Sequence, residues 1–408
     1  MGPHVLRRFL RYTLKVYDLR EIIQSYTDRR RHPQIAPAQI FLSVFWLWVF
    51  RWRSLHQLER RMVEEPWRQV QLHPGRAGSV DTVAYGLKHA GLWALRRGVQ
   101  RVVQRAQRAK VWSPGTLGAW NVIAVDGTEL WATRRRHCSE CQVRLIGAPA
   151  ARVREYFHRA VFCQVLGTPP RMLLDVEPQM PGEGERDAAR RLLARVLEAH
   201  GRWVDLLVVD AEYAAAAWLN RVLPQVWVLV RLKDRRYTIV QDVEGLWGVR
   251  PPTAAWIRHD GEEVQAWEAW DITSWEEVEV PLRVVRFRER SPDGVVRDHL
   301  FATTCPRHVG LQYLWRCAHA RWAIENSGFH ELKHCWHAGH CYVHHPIAIE
   351  ALLLIGLLAV NLLWAFLYRH LLAHGQPVTL RGVLEALTTA YYQLHTQQQR
   401  AVSYWDTS

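Results

Sequence analysis

Residues 351–368 are almost entirely apolar, and Asn361 is the single polar interruption. A run of this kind approaches the roughly 20 residues that span a bilayer, or else it must be buried on every side inside a protein core. It follows Pro346, a good first-turn residue, it contains Gly356 and Asn361, and no second span of similar length exists to partner it in a membrane. A buried core helix is the expectation, with no membrane partner. The chain has 408 residues, 49% hydrophobic and 23% charged, which leaves room for such a core and for two to three domains at roughly 100–200 residues each.

Charge divides the chain unevenly. The formal net charge is +14 at a pI near 9.8, yet residues 1–110 hold 21 Lys+Arg against 7 Asp+Glu while the other 298 hold 32 of each. All of the excess therefore lies in the first quarter, which points to an N-terminal module that meets a polyanion. Ser79 or Asp81 can cap a long helix running to about Lys110, on which Arg97, Arg101, Arg105 and Arg108 recur at steps of four, four and three. Such a stripe fits DNA phosphate and fits a solvated surface equally well. The Phe and Trp residues of 36–52 read as core rather than as a base-stacking platform. Seven cysteines form no disulfide framework and the first 20 residues lack the apolar core of a signal peptide, so a cytoplasmic location is expected.

A Ser/Pro/Gly linker at 113–118 separates this helical module from a different pattern. Strands are expected at 121–126, 156–166 and 171–176, then a helix at 183–200, a strand at 204–210, a helix at 214–222 and a strand at 225–232. That alternation implies an α/β fold with a mixed sheet and helices on its faces. Between 234 and 297 helical periodicity fades, residues 279–290 alternate, and Ser291-Pro292-Asp293-Gly294 reads as a hairpin turn, so a β-rich insertion is expected. A long helix at 309–336 and the buried helix at 347–372 follow, and the tail from Gln397 is polar.

Three acids stand out. Asp126 and Asp210 each end an apolar strand, and Glu325 lies within a helical stretch, Arg321-Trp322-Ala323-Ile324-Glu325. An acid among apolar neighbours costs several kcal/mol unless a cation or hydrogen-bond donors compensate, so two strand-end acids suggest a divalent metal site; each alone is also a common helix or turn cap. The segment from Arg321 to Glu325 with Phe329, Leu332 and Lys333 resembles the Tyr-Arg-Glu-Lys signature of DDE transposases from bacterial insertion sequences. Asp126-Gly127-Thr128, Asp210-Ala211-Glu212-Tyr213, the Pro181–Glu185 segment and Asn361 are similar to that family too. Ala318 stands where the family has its Tyr, and Lys333 follows Glu325 with one more residue between them than is usual there.

The resemblance implies a ribonuclease-H-like mixed sheet with helices on both faces, interrupted by the β-rich insertion and preceded by the α-helical N-terminal domain. The implied domains are 1–112 for DNA binding, 119–233 with 298–372 for catalysis, 234–297 as the insertion and 373–408 as a helical tail. It further implies two Mg²⁺ ions, or Mn²⁺, on Asp126, Asp210 and Glu325, with Arg321 and Lys333 on phosphates of double-stranded DNA from transposon ends and target. A homodimer joins the two ends. The expected activity is cutting and joining of DNA; an endonuclease that only cuts and an inactive DNA-binding relic are the alternatives. Separately, His137-Cys138-x-x-Cys141, completed by His158 or Cys163, offers part of a zinc site. Two loop thiols without metal explain Cys138 and Cys141 equally well, so structural Zn²⁺ is not assigned from the sequence. The histidines and cysteines of 334–345 match no standard finger spacing and suit phosphate contact as well.

Overall fold

A computed structural model describes residues 4–394; the expected polar tail from Gln397 lies outside them. Seven helices come first: α1 (Val5–Val16), α2 (Leu19–Ser25), α3 (Pro37–Val49), α4 (Leu55–Met62), α5 (Glu65–Val70), α6 (Val80–Lys88) and α7 (Leu92–Arg108). Ser79 caps α6 by accepting from the Thr82 amide. The single long helix expected from there to Lys110 is instead α6 and α7. The chain breaks at Ala90, which bridges Asp28, and at Gly91, where a Cβ would lie 2.6 Å from the Thr27 carbonyl oxygen. That break is a tertiary contact, invisible to helical periodicity.

The catalytic-type core follows as β1 (Val122–Thr133), β2 (Gln142–Ile146), β3 (Val153–Val165), β4 (Leu173–Pro178), α8 (Glu185–His200), β5 (Leu206–Val209), α9 (Ala216–Val222) and β6 (Trp227–Leu232). β3 runs antiparallel to β1, with β4 on its far side, while β1, β5 and β6 are parallel. The spatial order β4-β3-β1-β5-β6 is the ribonuclease-H-like sheet. β2, which the sequence reading lacks, pairs with the first half of β3.

The segment expected as a β insertion begins with a helix, α10 (Thr238–Trp247), against expectation. Its apolar residues Ile239, Val240, Val243 and Trp247 are spaced for one buried face, a short signal among Trp-rich strands. Four strands follow, β7 (Ala254–Ile257), β8 (Glu263–Ile272), β9 (Leu282–Arg290) and β10 (Val296–Thr303). β10 pairs antiparallel with β6, so these strands extend the core into one ten-stranded sheet rather than standing apart.

After α11 (Leu311–Ala320), a π-helical turn at Ile324–Phe329 and α12 (His330–His334) replace the expected continuous helix. Then comes α13 (Pro346–Ala365), continued by a second π-helical turn to Leu371, and lastly α14 (Leu380–Gln393). The most apolar stretch of this helix is 89% buried within the protein, which accounts for the 351–368 run as core. α13 packs on α3, α6 and α7 from one side and on β4 from another. Gly356 permits the α3 contact, since a Cβ there would lie 2.5 Å from the Trp48 ring. Arg96 of α7 joins the same three layers, paired with Asp175 and Glu177 of β4 and with Glu350 of α13.

Asn361 is fully buried; its side chain accepts from the Leu173 amide at 2.9 Å and donates to the Leu173 carbonyl at 2.8 Å. These bonds fix the register of α13 on the edge of β4. Replacing Asn361 by the nearly isosteric Leu strands both backbone groups, each worth about 1–3 kcal/mol when buried and unpaired. Asn361→Leu is expected to lower stability by about 2–4 kcal/mol in chemical denaturation, despite adding an apolar side chain.

Candidate active site

Register brings two of the acids together. In the parallel pair β1–β5, Ala124 lies opposite Val208, so Asp126 and Asp210 each lie two residues further along adjacent strands; Asp210 falls just past the end of β5, whereas Asp126 lies within β1, which runs on to Thr133 beside β3 instead of ending at 126 as expected. The Asp210 side chain also accepts from the Glu212 amide at 2.8 Å, which fixes it at the mouth of a short 3₁₀ turn. Glu325 arrives from the π-helical turn. One nitrogen of the buried Arg321 lies 3.1 Å from Asp126 and 2.8 Å from Glu325, so a single guanidinium spans the first and third acids.

The π-helical turn also accounts for the spacing of Lys333. A π turn closes i to i+5 rather than i to i+4, so it takes one more residue than the roughly 3.6 of an α turn. The extra residue between Glu325 and Lys333 is absorbed, and Lys333 still faces the site. Its ammonium donates to Thr128 Oγ1 at 2.7 Å, two residues beyond Asp126. Burial pushes the Lys333 pKa down from its ordinary value, with Glu129 opposing. Ala318, at the position of the family's Tyr, is buried and offers no polar atom.

A fourth carboxylate belongs to the cluster. Glu185, the first residue of α8, accepts from the Gly127 amide at 3.1 Å and from the Tyr213 hydroxyl at 2.8 Å, and pairs with Arg159 at 3.1 Å. Gly127 is required for this approach: a Cβ there would sit 2.2 Å from a Glu185 oxygen. In the sequence, Glu185 looks like an ordinary first-turn acid of a helix; only the glycine beside Asp126 hinted that something must come close. Lys233 at 3.8 Å from Asp210 and the half-buried Arg231, whose pKa burial pushes down with Arg321 adding to it, complete the cationic rim.

The four stripe arginines of α7, Arg97, Arg101, Arg105 and Arg108, are not at this site. Arg101 pairs with Glu21 and Arg105 with Asp18, while Arg97 lies over the Trp93 ring and Arg108 donates to the Gln104 carbonyl. The middle of the basic stripe is thus neutralised by α2 and its cap. Neither Arg97 nor Arg108 has an acid partner among the described residues.

Crowded carboxylates have a measurable cost. Burial first, then Glu185, Glu325 and Asp210, push the Asp126 pKa up to about 7 against the pull of Arg321. A carboxyl whose pKa rises on folding binds more protons in the folded state, so its ionisation removes stability as pH climbs from about 4 to about 7. The all-oxygen donor set fits a hard divalent cation. Asp126→Asn is expected to be more stable than the unsubstituted chain above pH 7 without divalent metal, with the gap closing as pH falls toward 4. Thermal unfolding across that range checks it; a gap independent of pH contradicts it.

The family model described as the transposase DDE domain matches residues 121–362, which takes in Asp126, Asp210, Arg321, Glu325, Lys333 and Asn361. No curated protein matches. Among solved structures, the chain is similar to a piggyBac transposase in a synaptic complex with hairpin DNA. The two are 12% identical over 95% of this chain and 81% of that one, with a TM-score of 0.44, a likeness too distant to bear on function. The match over more than half its length makes this chain a member of the DDE transposase family.

Proposed function

We propose that the chain is a DNA transposase that cuts at the ends of its element and joins the freed 3′-OH ends to target DNA at Asp126, Asp210 and Glu325. The observation that carries this reading is the β1–β5 register, which sets Asp126 beside Asp210 while Arg321 tethers Glu325 to Asp126. These three acids would hold two divalent cations, Mg²⁺ or Mn²⁺, which when bound activate the attacking oxygen and stabilise the leaving one. Arg321 keeps two of the carboxylates in place. Glu185, itself fixed by Gly127, Tyr213 and Arg159, sets the limit of the acidic cluster on the α8 side.

In the cutting step water adds to the phosphorus, the bond from phosphorus to O3′ breaks, and a 3′-OH and a 5′-phosphate remain. In joining, that 3′-OH attacks a target phosphodiester, so one phosphorus–O3′ bond forms as another breaks and no outside energy source is needed. Lys333 would meet a flanking phosphate as a point charge. Residues 1–112 would grip DNA away from the reacting bond, with Arg97 and Arg108 as free cations for phosphate and Arg101 and Arg105 available only by leaving their acids. Two copies would synapse the two ends as a homodimer.

The purified chain with Mg²⁺, DNA bearing its element's ends and a supercoiled target is expected to give strand-transfer products. Asp126→Ala, Asp210→Ala and Glu325→Ala should each reduce them by at least about 100-fold while leaving end binding within a few-fold. Cleavage without joining would favour an endonuclease, and binding without either would mark a relic. Arg108→Ala is expected to lower the slope of log affinity against log salt by about 0.9 without changing sequence preference.

A further inference from the structure

A second cluster lies beyond β1, apart from the acids. Cys138 and Cys141 stand in the loop between β1 and β2, His158 on β3, and His344 in the connector between α12 and α13. Cys138 Sγ lies 3.7 Å from Cys141 Sγ and 3.3 Å from His158 Nε2; Cys141 Sγ lies 3.2 Å from His158 Nε2 and 3.1 Å from His344 Nε2. All four ligand atoms fall within 4.8 Å of one another. Zn–S bonds near 2.3 Å and Zn–N bonds near 2.0–2.1 Å in a tetrahedron require edges of about 3.3–3.8 Å, close to those found. The Cys141 sulfur alone faces three such atoms, more than one thiol proton can serve as hydrogen bonds. Cys163, the other candidate from the sequence, is buried elsewhere and is no part of the cluster.

We propose that these four residues bind one structural Zn²⁺ as a closed Cys₂His₂ site, with no position left for water or substrate. Cys141 and His158 are buried, 7% and 4% exposed, which shields the metal from exchange. The site joins Cys141 to a residue 203 positions later, and His344 lies two residues before α13. Zinc thus staples the connector following Lys333 to the sheet at the far end of the strand that carries Asp126. Tyr342 in the same connector donates to the Trp52 carbonyl at 3.0 Å, a second anchor onto the helical module. The sequence offered Cys138 and Cys141 with His158 or Cys163 but not the fourth ligand, because His344 lies in a connector that only the fold brings to the Cys-x-x-Cys loop. This inference stands apart from the catalytic reading, since it rests on other residues and another ion.

The full chain, purified without a polyhistidine tag or added metal and dialysed, is expected to carry about one zinc by elemental analysis. Loaded with Co²⁺ instead, it should show the visible bands of a tetrahedral site and thiolate-to-cobalt charge transfer. Cys138→Ser with Cys141→Ser should leave under about one tenth of an equivalent. His344→Gln, in a loop where folding is least at risk, should lose zinc at least about tenfold faster to a chelator. A folded unsubstituted chain without zinc that also gives no cobalt charge transfer overturns the proposal. So does zinc retained at full stoichiometry in the double cysteine variant, or release from His344→Gln at the unsubstituted rate.

Discussion

Everything in this fold is arranged around a helix that has no exposed side. α13 carries seventeen buried residues from Ala348 to Ala365, so water must be excluded from it all round, and neither the sheet nor the helical module can do that alone. β4 supplies one wall; α3, α6 and α7 supply another. The N-terminal helices are thereby committed to packing and cannot swing as an independent DNA-binding arm. Arg96 tightens the same junction, because Asp175, Glu177 and Glu350 come from two separate elements and a buried pair broken on one side costs about 3–5 kcal/mol.

A rigid frame is what the acidic cluster needs. Four carboxylates gathered in one cluster repel one another, and that repulsion adds to burial, the larger cause, in raising the pKa of Asp126. Only surroundings that resist relaxation can hold them together: parallel strand register for Asp126 and Asp210, the Arg321 guanidinium for Glu325, and Tyr213 with Arg159 for Glu185. The stability that α13 burial provides offsets the cost at the site. Strongly perturbed carboxyls of this kind cluster at functional sites.

What the sequence revealed was whatever depends on neighbours in the chain. An apolar run ending in an acid exposes Asp126 and Asp210, because a strand buried on both faces must be continuously apolar; the first polar residue marks the end of β5 at Asp210 and, in β1, the point where the strand runs on past its parallel neighbour. The core helix and the β9–β10 hairpin were legible for the same reason. Features made by distant contacts were not. The break between α6 and α7 needs the Thr27 carbonyl; the ion pairs that quench Arg101 and Arg105 need α2; Glu185 needs the gap over Gly127. α10 was hidden differently, its ten residues being too short for helical periodicity to outweigh the strands around it.

The π-helical turn joins these threads. Glu325 sits at its start and Lys333 beyond its end, so the turn sets both the approach of the third acid and the direction of the cation. A π turn is less favourable than an α turn and persists only where surroundings hold it. Here Gly328 packs against Gln164, where any Cβ would lie 2.4 Å from the amide oxygen, and Glu331 just after it accepts from Trp364 of α13 at 3.1 Å. The helix buried on all sides therefore fixes the segment that delivers the last acid. An altered register of α13 on β4 would act at the acidic cluster through this turn, with no change to any carboxylate.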